Sequence, residues 1–241
     1  GFFKFKSPVK KLEIKVPEPT PENNYSDLKR LQLSLANEFG IKKFDIDYYL
    51  LKSLPQILRK NHGHITLILF RTDNSWKIID ALSGTNRKNI YGIACDIGTT
   101  TVVVGLVDLK DGTLINTVTG LNQQIKCGED IISRISYAER SGGLNELNEL
   151  IIKAINNLIE EAAESLNISC DDIYYAAFSG NTTMIHLFMN IDPRYIRQEP
   201  YIPAMNRVPF ISPGNLGLKL NSKGIIHISP LVGSYVGGDI T

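Results

Sequence analysis

The sequence predicts an α/β protein in two parts, a small α+β domain followed by a larger half-domain with the element order βββαβαβ. Short β-rich runs recur from Tyr91 onward, and the third and fourth are separated by a long segment with apolar residues every three or four positions. Prolines cluster just before the small domain. We therefore expect a linker strand and proline-rich connector at residues 1–21, a small middle domain at 22–90 and the half-domain at 91–241.

Composition limits the classes of function. The chain has 241 residues, of which 43% are hydrophobic, and 26 Lys and Arg balance 25 Asp and Glu. The near-neutral charge gives no strong field for nucleic acid or an anionic membrane. The apolar runs are far shorter than the roughly 20 residues that cross a bilayer. Three scattered cysteines are typical of a reducing cytosol. We expect a cytoplasmic protein with no nucleic-acid or membrane partner.

The first 90 residues contain signals for two strands in a hairpin, two helices and an edge strand. Residues 9–16 alternate loosely between apolar and charged side chains, which predicts the edge strand. Ser26 and Gly40 are suitable caps for one helix, and Asp47 for the next. Two β-rich runs then flank the turn-forming residues 72–75. Together these elements predict the small α+β domain.

The half-domain is predicted from the order of its elements. The predicted strands are residues 91–95, 101–108, 113–119, 173–178 and 224–228, with helices at 147–162 and 182–189. Right-handed crossovers place the fourth of these strands beside the first. Three antiparallel strands that lead into parallel ones describe a ribonuclease-H-like half-domain. The proline- and glycine-rich residues 198–221 predict an irregular excursion before the last strand.

The strongest candidate site is the turn after the first strand of the half-domain, Asp96-Ile97-Gly98-Thr99-Thr100-Thr101. A carboxylate at the end of a buried strand needs a cation or hydrogen-bond donors, so Asp96 is a candidate magnesium ligand that acts through a bound water. Gly98 permits close approach of the backbone. Thr99, Thr100 and Thr101 offer successive N–H and hydroxyl groups to phosphate oxygens. The alternative interpretation is an ordinary threonine-rich hairpin turn.

Two further pairs of residues are candidates for the same ligand. Asn181 and Thr182 follow the fourth strand, where they either cap the next helix or face the cleft that contains Asp96. Gly237 and Gly238 either admit a ligand closely or turn the chain.

Asp130 and Arg134 lie four residues apart at a predicted helix start. This spacing favours an ion pair or an interaction with the helix dipole over direct catalysis. His186 and His227 lie in apolar surroundings, which indicates packed or surface groups rather than metal ligands.

The turn resembles the first phosphate motif of the superfamily that contains acetate kinases, sugar kinases, heat-shock ATPases and actin. The chain more narrowly resembles the ATP-dependent reductive activators of corrinoid proteins. Four further stretches support this resemblance: Gly128–Ile135, Ser179–Met184, Pro200–Pro203 and Val236–Asp239.

The resemblance implies a protein that uses ATP and magnesium to help move an electron onto the cobalt of a partner's corrinoid cofactor. The product is the Co(I) state that accepts a methyl group. In the family the electron comes from a 2Fe-2S cluster in a ferredoxin-like domain, and we expect this domain and the second ATPase lobe to lie outside this sequence. We expect a homodimer, and negligible ATP hydrolysis by these residues alone.

Two other functions are alternatives. A small-molecule kinase of the same superfamily needs a general-base aspartate. No clear candidate follows the fourth strand, where the sequence is Asn181-Thr182-Thr183. A non-catalytic dimerisation or interaction module would use the exposed first strand to pair with another sheet edge.

Overall fold

The computed structural model describes residues 5–231, and Gly237 and Gly238 lie outside them. The chain forms two compact units. The first runs to Ile90 and includes Leu109–Gly112, and the second comprises Tyr91–Asp108 and the residues from Thr113 onward. No helix among residues 5–231 is both long and apolar enough to span a membrane.

The first unit is a four-stranded mixed sheet with two helices. Its elements are β1 (Val9–Lys15), α1 (Asp27–Phe39), β2 (Phe44–Ile46), α2 (Tyr48–Lys60), β3 (His64–Arg71) and β4 (Trp76–Ser83). The strand order is β1-β3-β4-β2, with β1 antiparallel to β3 along its whole length. The strand that we assigned to a separate segment, residues 1–21, therefore lies in the sheet of this unit. Its edge position agrees with the prediction.

The helix boundaries of the first unit follow from capping chemistry. The Ser26 side chain accepts a hydrogen bond from the amide of Lys29, and Gly40 ends α1 in the left-handed conformation at φ 69°. The Asp47 side chain caps α2 by accepting from the amide of Tyr49. The buried side chains of both helices, among them Leu31 and Leu54, join the apolar side chains of β3 and β4 in one core.

The second unit is a five-stranded mixed sheet in the order β7-β6-β5-β8-β9. The strands are β5 (Tyr91–Ile97), β6 (Thr101–Asp108), β7 (Leu114–Leu121), β8 (Ile173–Gly180) and β9 (Ile225–Ile228). The first three are antiparallel neighbours, and β8 is parallel to both β5 and β9. The predicted fourth strand thus lies beside the predicted first strand.

Four helices join these strands: α3 (Ile131–Ala138), α4 (Gly143–Glu164), α5 (Thr182–Phe188) and α6 (Arg194–Arg197). The predicted order βββαβαβ counts neither α3 nor α6, although a helix start was predicted at Asp130, the residue that caps α3. The long helix α4 buries one face, which includes Leu147, Ile151 and Ile155, against the sheet. This face packs against β6 and β7 of the sheet.

Residues 198–221 are largely irregular, as predicted, and His186 holds their first part against α5. The imidazole is fully buried, with Nδ1 2.7 Å from the carbonyl of Thr182 and Nε2 accepting from the amide of Ala204 at 3.1 Å. These partners require a neutral ring with the proton on Nδ1. Burial lowers the pKa of His186. The histidine is thus a packed structural group, as the sequence indicated.

We predict that the second unit loses stability between pH 7 and pH 5. The folded-state pKa of His186 is depressed, so the unfolded chain binds more protons in this range, and the free energy of unfolding falls as the pH falls. Burial depresses the pKa of His227 in the same direction. Replacing His186 with Gln should cost about 1–3 kcal/mol at pH 7 through unsatisfied partners. It should also flatten the pH dependence.

Chemical denaturation at several pH values measures both effects. His62→Gln is the control, since this imidazole is exposed. A His186→Gln protein with the pH slope of the wild type would contradict the prediction.

Candidate functional site

The candidate site is built around the turn at the carboxyl end of β5, and Gly98 makes its shape possible. A Cβ atom on Gly98 would stand 2.6 Å from the carbonyl oxygen of Thr101, which is backbone and cannot rotate away. The φ angle of Gly98 is not in the left-handed region, so backbone conformation does not explain the glycine. It is required because two backbone segments approach each other closely at this point.

Three carbonyl groups of the turn accept hydrogen bonds from residues behind it. The side-chain amide of Asn122 donates to the Gly98 oxygen at 2.9 Å, and its backbone amide donates to the Thr100 oxygen at 2.8 Å. The Arg134 guanidinium donates to the Thr99 oxygen at 2.7 Å. Every carbonyl of residues 98–100 is thus held from the protein side.

The opposite side of the turn presents N–H groups. The only cis peptide bond among the described residues is Glu199–Pro200, so the peptide groups of the turn are trans and their N–H and C=O bonds point in opposite directions. The amides of Thr99, Thr100 and Thr101 therefore point away from Asn122 and Arg134. Within residues 5–231 the amides of Thr99 and Thr100 have no acceptor. Consecutive outward N–H groups of this kind form a concave binding site for an anion.

Asp96 lies beside the turn with an exposed carboxylate. Its neighbours Cys95 and Ile97 are buried, whereas Asp96 is on the other side of the pleat. The expectation that Asp96 is buried is therefore wrong, and its role as a magnesium ligand stays a prediction. The carboxylate instead accepts one hydrogen bond, from the Ser179 hydroxyl of the neighbouring strand β8 at 3.0 Å, and stays accessible.

These groups suit magnesium held together with a phosphate. No set of three or more His, Cys, Asp or Glu side chains in the described part of the chain could enclose a metal ion. Mg²⁺ is usually held by one or two carboxylates, several waters and the oxygens of a bound phosphate, so the single exposed carboxylate of Asp96 fits such a site.

Asn181 caps the next helix, as one of the two predictions had it, and also contacts the turn. Its Oδ1 accepts from the amide of Met184 at 2.9 Å, which caps α5, and its Nδ2 is 3.4 Å from the Thr99 hydroxyl. Thr182 is fully buried in the first turn of α5, so its side chain does not reach the surface beside Thr99. Thr183 is buried too, and no carboxylate occupies this segment where a kinase would need its base.

The residues behind the turn were not singled out as site residues by sequence reasoning. Asn122, Gln124 and Arg134 are polar and fully or almost fully inaccessible. Gln124 links this group to α4 by donating to the Leu147 carbonyl at 2.9 Å. A polar run directly after a strand, Asn122-Gln123-Gln124, is the signal that could have found them.

The expected ion pair between Asp130 and Arg134 is not found among the described residues, because the two side chains point in different directions. Asp130 caps α3 in a capping box with Ser133, and the hydrogen bond from the Ser133 amide lowers the pKa of Asp130. The Arg134 side chain instead points inward and donates to the Thr99 carbonyl of the turn. The expected interaction of an acid with the amino end of this helix is therefore present.

Open space adjoins the turn on two sides. A depression of about 410 Å³ is lined by Thr99 and residues 129–132. Another of about 330 Å³ on the sheet is lined by Asp96, Ser179 and other side chains. The first volume adjoins Thr99 and the start of α3, and the second adjoins Asp96.

The three cysteines form no disulfide. Cys95 lies on the buried side of β5, and desolvation raises the pKa of its thiol well above the ordinary value. A nucleophilic role for Cys95 is therefore disfavoured.

Comparison with known proteins identifies the family. Residues 91–241 match the family described as the RACo middle region, and residues 2–88 match the RACo linker region. The corrinoid activation enzyme RamQ of Eubacterium limosum is 36% identical over 197 residues, which are 81% of this chain and 33% of that protein. A solved structure described as a reductive activator for corrinoid, iron-sulfur protein superposes with a TM-score of 0.94 at 37% identity. It is matched by 100% of this chain, which covers 38% of the solved one.

The chain thus spans about a third of the length of each of these relatives. The match to the RACo middle region covers more than half of the chain, and the curated relative is more than 30% identical over four fifths of it. This chain belongs to the RACo family of corrinoid activators.

Proposed function

We propose that this chain supplies the linker and the first ATPase lobe of an activator that uses ATP to return a partner's corrinoid from Co(II) to Co(I). One observation carries the ATP part of the proposal: three carbonyls of the Gly98–Thr101 turn are held from behind, which directs its N–H groups outward beside an exposed carboxylate. The corrinoid part rests on the family and on the names of the relatives in it.

The residues suggest how MgATP would be held. The amides and hydroxyls of Thr99, Thr100 and Thr101 would donate to phosphate oxygens, and Asn181 would position the Thr99 hydroxyl. Asp96 would orient the water shell of magnesium, whose charge neutralises the phosphates. Gly98 keeps the backbone close enough for this arrangement.

The sheet order supports a ribonuclease-H-like half-domain as the architecture of this lobe. Three antiparallel strands continue into parallel β8 and β9, and the turn lies at the carboxyl end of the central strand β5. In a two-lobed ATPase the second lobe excludes water from the phosphates, so we propose that these residues alone bind nucleotide weakly and hydrolyse almost none.

The remaining parts of the proposal concern partners. The electron would come from a 2Fe-2S cluster in another domain, and the corrinoid protein would be the acceptor. We further propose a homodimer, with β1 as an edge available for pairing, and a cytoplasmic location on the basis of three unpaired cysteines.

Asp96→Asn should weaken MgADP binding at least tenfold, because it removes the carboxylate that orients the metal's water shell. The affinity is measured by titrating MgADP and following the ¹H–¹⁵N chemical shifts of the Thr99–Thr101 amides by NMR. This method detects weak binding and identifies the N–H donors. Omitting magnesium should weaken the wild type to a similar degree and leave Asp96→Asn almost unchanged.

Asp45→Asn is the matched control, since Asp45 is an exposed strand carboxylate in the first unit. Equal MgADP affinity of Asp96→Asn and the wild type would rule out this role for Asp96.

Gly98→Ala should displace the turn and weaken MgADP binding at least tenfold, because the new Cβ would meet the Thr101 carbonyl at 2.6 Å. The same strain should lower the free energy of unfolding by about 1–3 kcal/mol. Both are measured on one preparation, by amide shifts and by chemical denaturation. Gly214→Ala is the control because a Cβ there meets nothing within 4 Å. Unchanged stability and affinity in Gly98→Ala would show that the close approach is unimportant.

The corrinoid function is tested with a chimaera in which this chain replaces the matching region of RamQ. Mixed with a Co(II) corrinoid protein, a reductant and ATP, the chimaera should convert the Co(II) absorption band, and its Asp96→Asn form should not. The isolated chain should hydrolyse ATP at the background rate. Conversion without ATP, or phosphorylation of a sugar or acid in place of conversion, would refute the proposed function.

A further inference from the structure

Arg134 carries a positive charge in the interior of the second unit. Its side chain is 0% exposed. Nε donates to the Gly128 carbonyl at 2.8 Å and Nη2 to the Thr99 carbonyl at 2.7 Å. Nη1 lies 3.4 Å from Oε1 of Gln124 and 3.2 Å from the sulfur of Met184. All of these partners are neutral.

A counter-charge in ion-pair contact is missing. Of the ion pairs in residues 5–231, none includes Arg134. Asp130, four residues earlier, directs its carboxylate to the amide of Ser133 and is exposed. Burial lowers the pKa of Arg134, and Cys127 and, to a smaller extent, Asp130 oppose this shift. Burying a cation without an anion in contact costs folding free energy. The position of this charge behind the turn therefore calls for an explanation.

The guanidinium bonds to one peptide group of the turn, whose other end faces outward. The Thr99 carbonyl that accepts from Arg134 shares its peptide group with the Thr100 amide. A cation on the carbonyl polarises the group and strengthens the N–H as a donor. Standard bond and hydrogen-bond lengths put an anion on that N–H roughly 8 Å or less from the guanidinium. Water is excluded from the intervening space on the Arg134 side, so the charge is weakly screened there.

We propose that Arg134 is a positioning residue for anion binding, which polarises the Thr99–Thr100 peptide group and supplies the fixed positive charge opposite a phosphate bound to the Thr100 amide. This inference rests on the proposed function, because it assumes that the turn binds a phosphate. It adds a charge that recognises phosphate through the backbone, without contact between Arg134 and the ligand.

The inference predicts a loss of affinity that grows with the charge of the ligand. Arg134→Gln removes the charge and keeps a donor, whereas Arg134→Lys keeps the charge with fewer donors. Pyrophosphate, ADP and AMP are titrated against each variant, with the amide shifts of the turn as readout. Arg134→Gln should bind pyrophosphate at least tenfold more weakly than the wild type, and AMP only about threefold more weakly. Arg134→Lys should recover most of the pyrophosphate affinity.

Arg140→Gln is the control for net charge, because Arg140 is exposed and its guanidinium lies over the ring of Tyr137. It should leave all three affinities unchanged. A second readout needs no ligand: the Thr100 amide proton should resonate further upfield in Arg134→Gln than in the wild type, since its peptide group is less polarised.

The outcomes separate the inference from the proposed function. A wild type that binds none of the three ligands refutes the phosphate site itself. A wild type that binds them, with Arg134→Gln losing the same factor for each ligand or none, overturns the role of Arg134 alone. If Arg134→Gln does not fold, Arg134→Lys decides: pyrophosphate affinity within about threefold of the wild type supports the inference, and a tenfold loss overturns it.

Discussion

The hydrogen bonds from Asn122 and Arg134 to the turn carbonyls are the constraint on which the candidate site depends. A turn of glycine and threonine has many conformations, and most of them would scatter its N–H groups. Because a trans peptide group has only two ends, fixing the carbonyl fixes the direction of the amide. Three carbonyls held at 2.7–2.9 Å therefore specify the outer surface of residues 98–101 without any direct contact to it. Pre-organised donors of this kind need no rearrangement when an anion arrives.

Three separate elements hold the turn, which explains why the second unit has this layout. Asn122 comes from the end of β7, Arg134 from α3 and Asn181 from the start of α5. Gln124 ties the first of these to α4, the helix with the largest buried face. The apolar core thus positions the polar groups indirectly: α4 fixes the sheet and the segment after β7, and these fix the turn.

Sequence patterns predicted the features that arise from local chemistry. Ser26 and Gly40 bound a helix because a side-chain acceptor and a left-handed residue are local requirements, and α4 shows its apolar repeat over 22 residues. The Asp96–Thr101 turn was recognisable because its groups are consecutive. Arg134 was misinterpreted because a spacing of four suggests an ion-pair partner on the same helix. The hydrogen-bond acceptor that connects it with the turn, Thr99, is 35 residues away. The exposure of Asp96 was missed since a strand that looks buried has two faces.

The separation of Asp96 from Arg134 gives the site its electrostatic character. The carboxylate is exposed beside the turn, and the guanidinium is buried behind it, so the two do not neutralise each other. A metal cation at the carboxylate and an anion at the amides would each meet a charge of opposite sign. Neither ligand alone satisfies both sides of this arrangement. A magnesium–phosphate complex would satisfy both sides, because it would carry the cation toward Asp96 and its oxygens toward the amides of the turn.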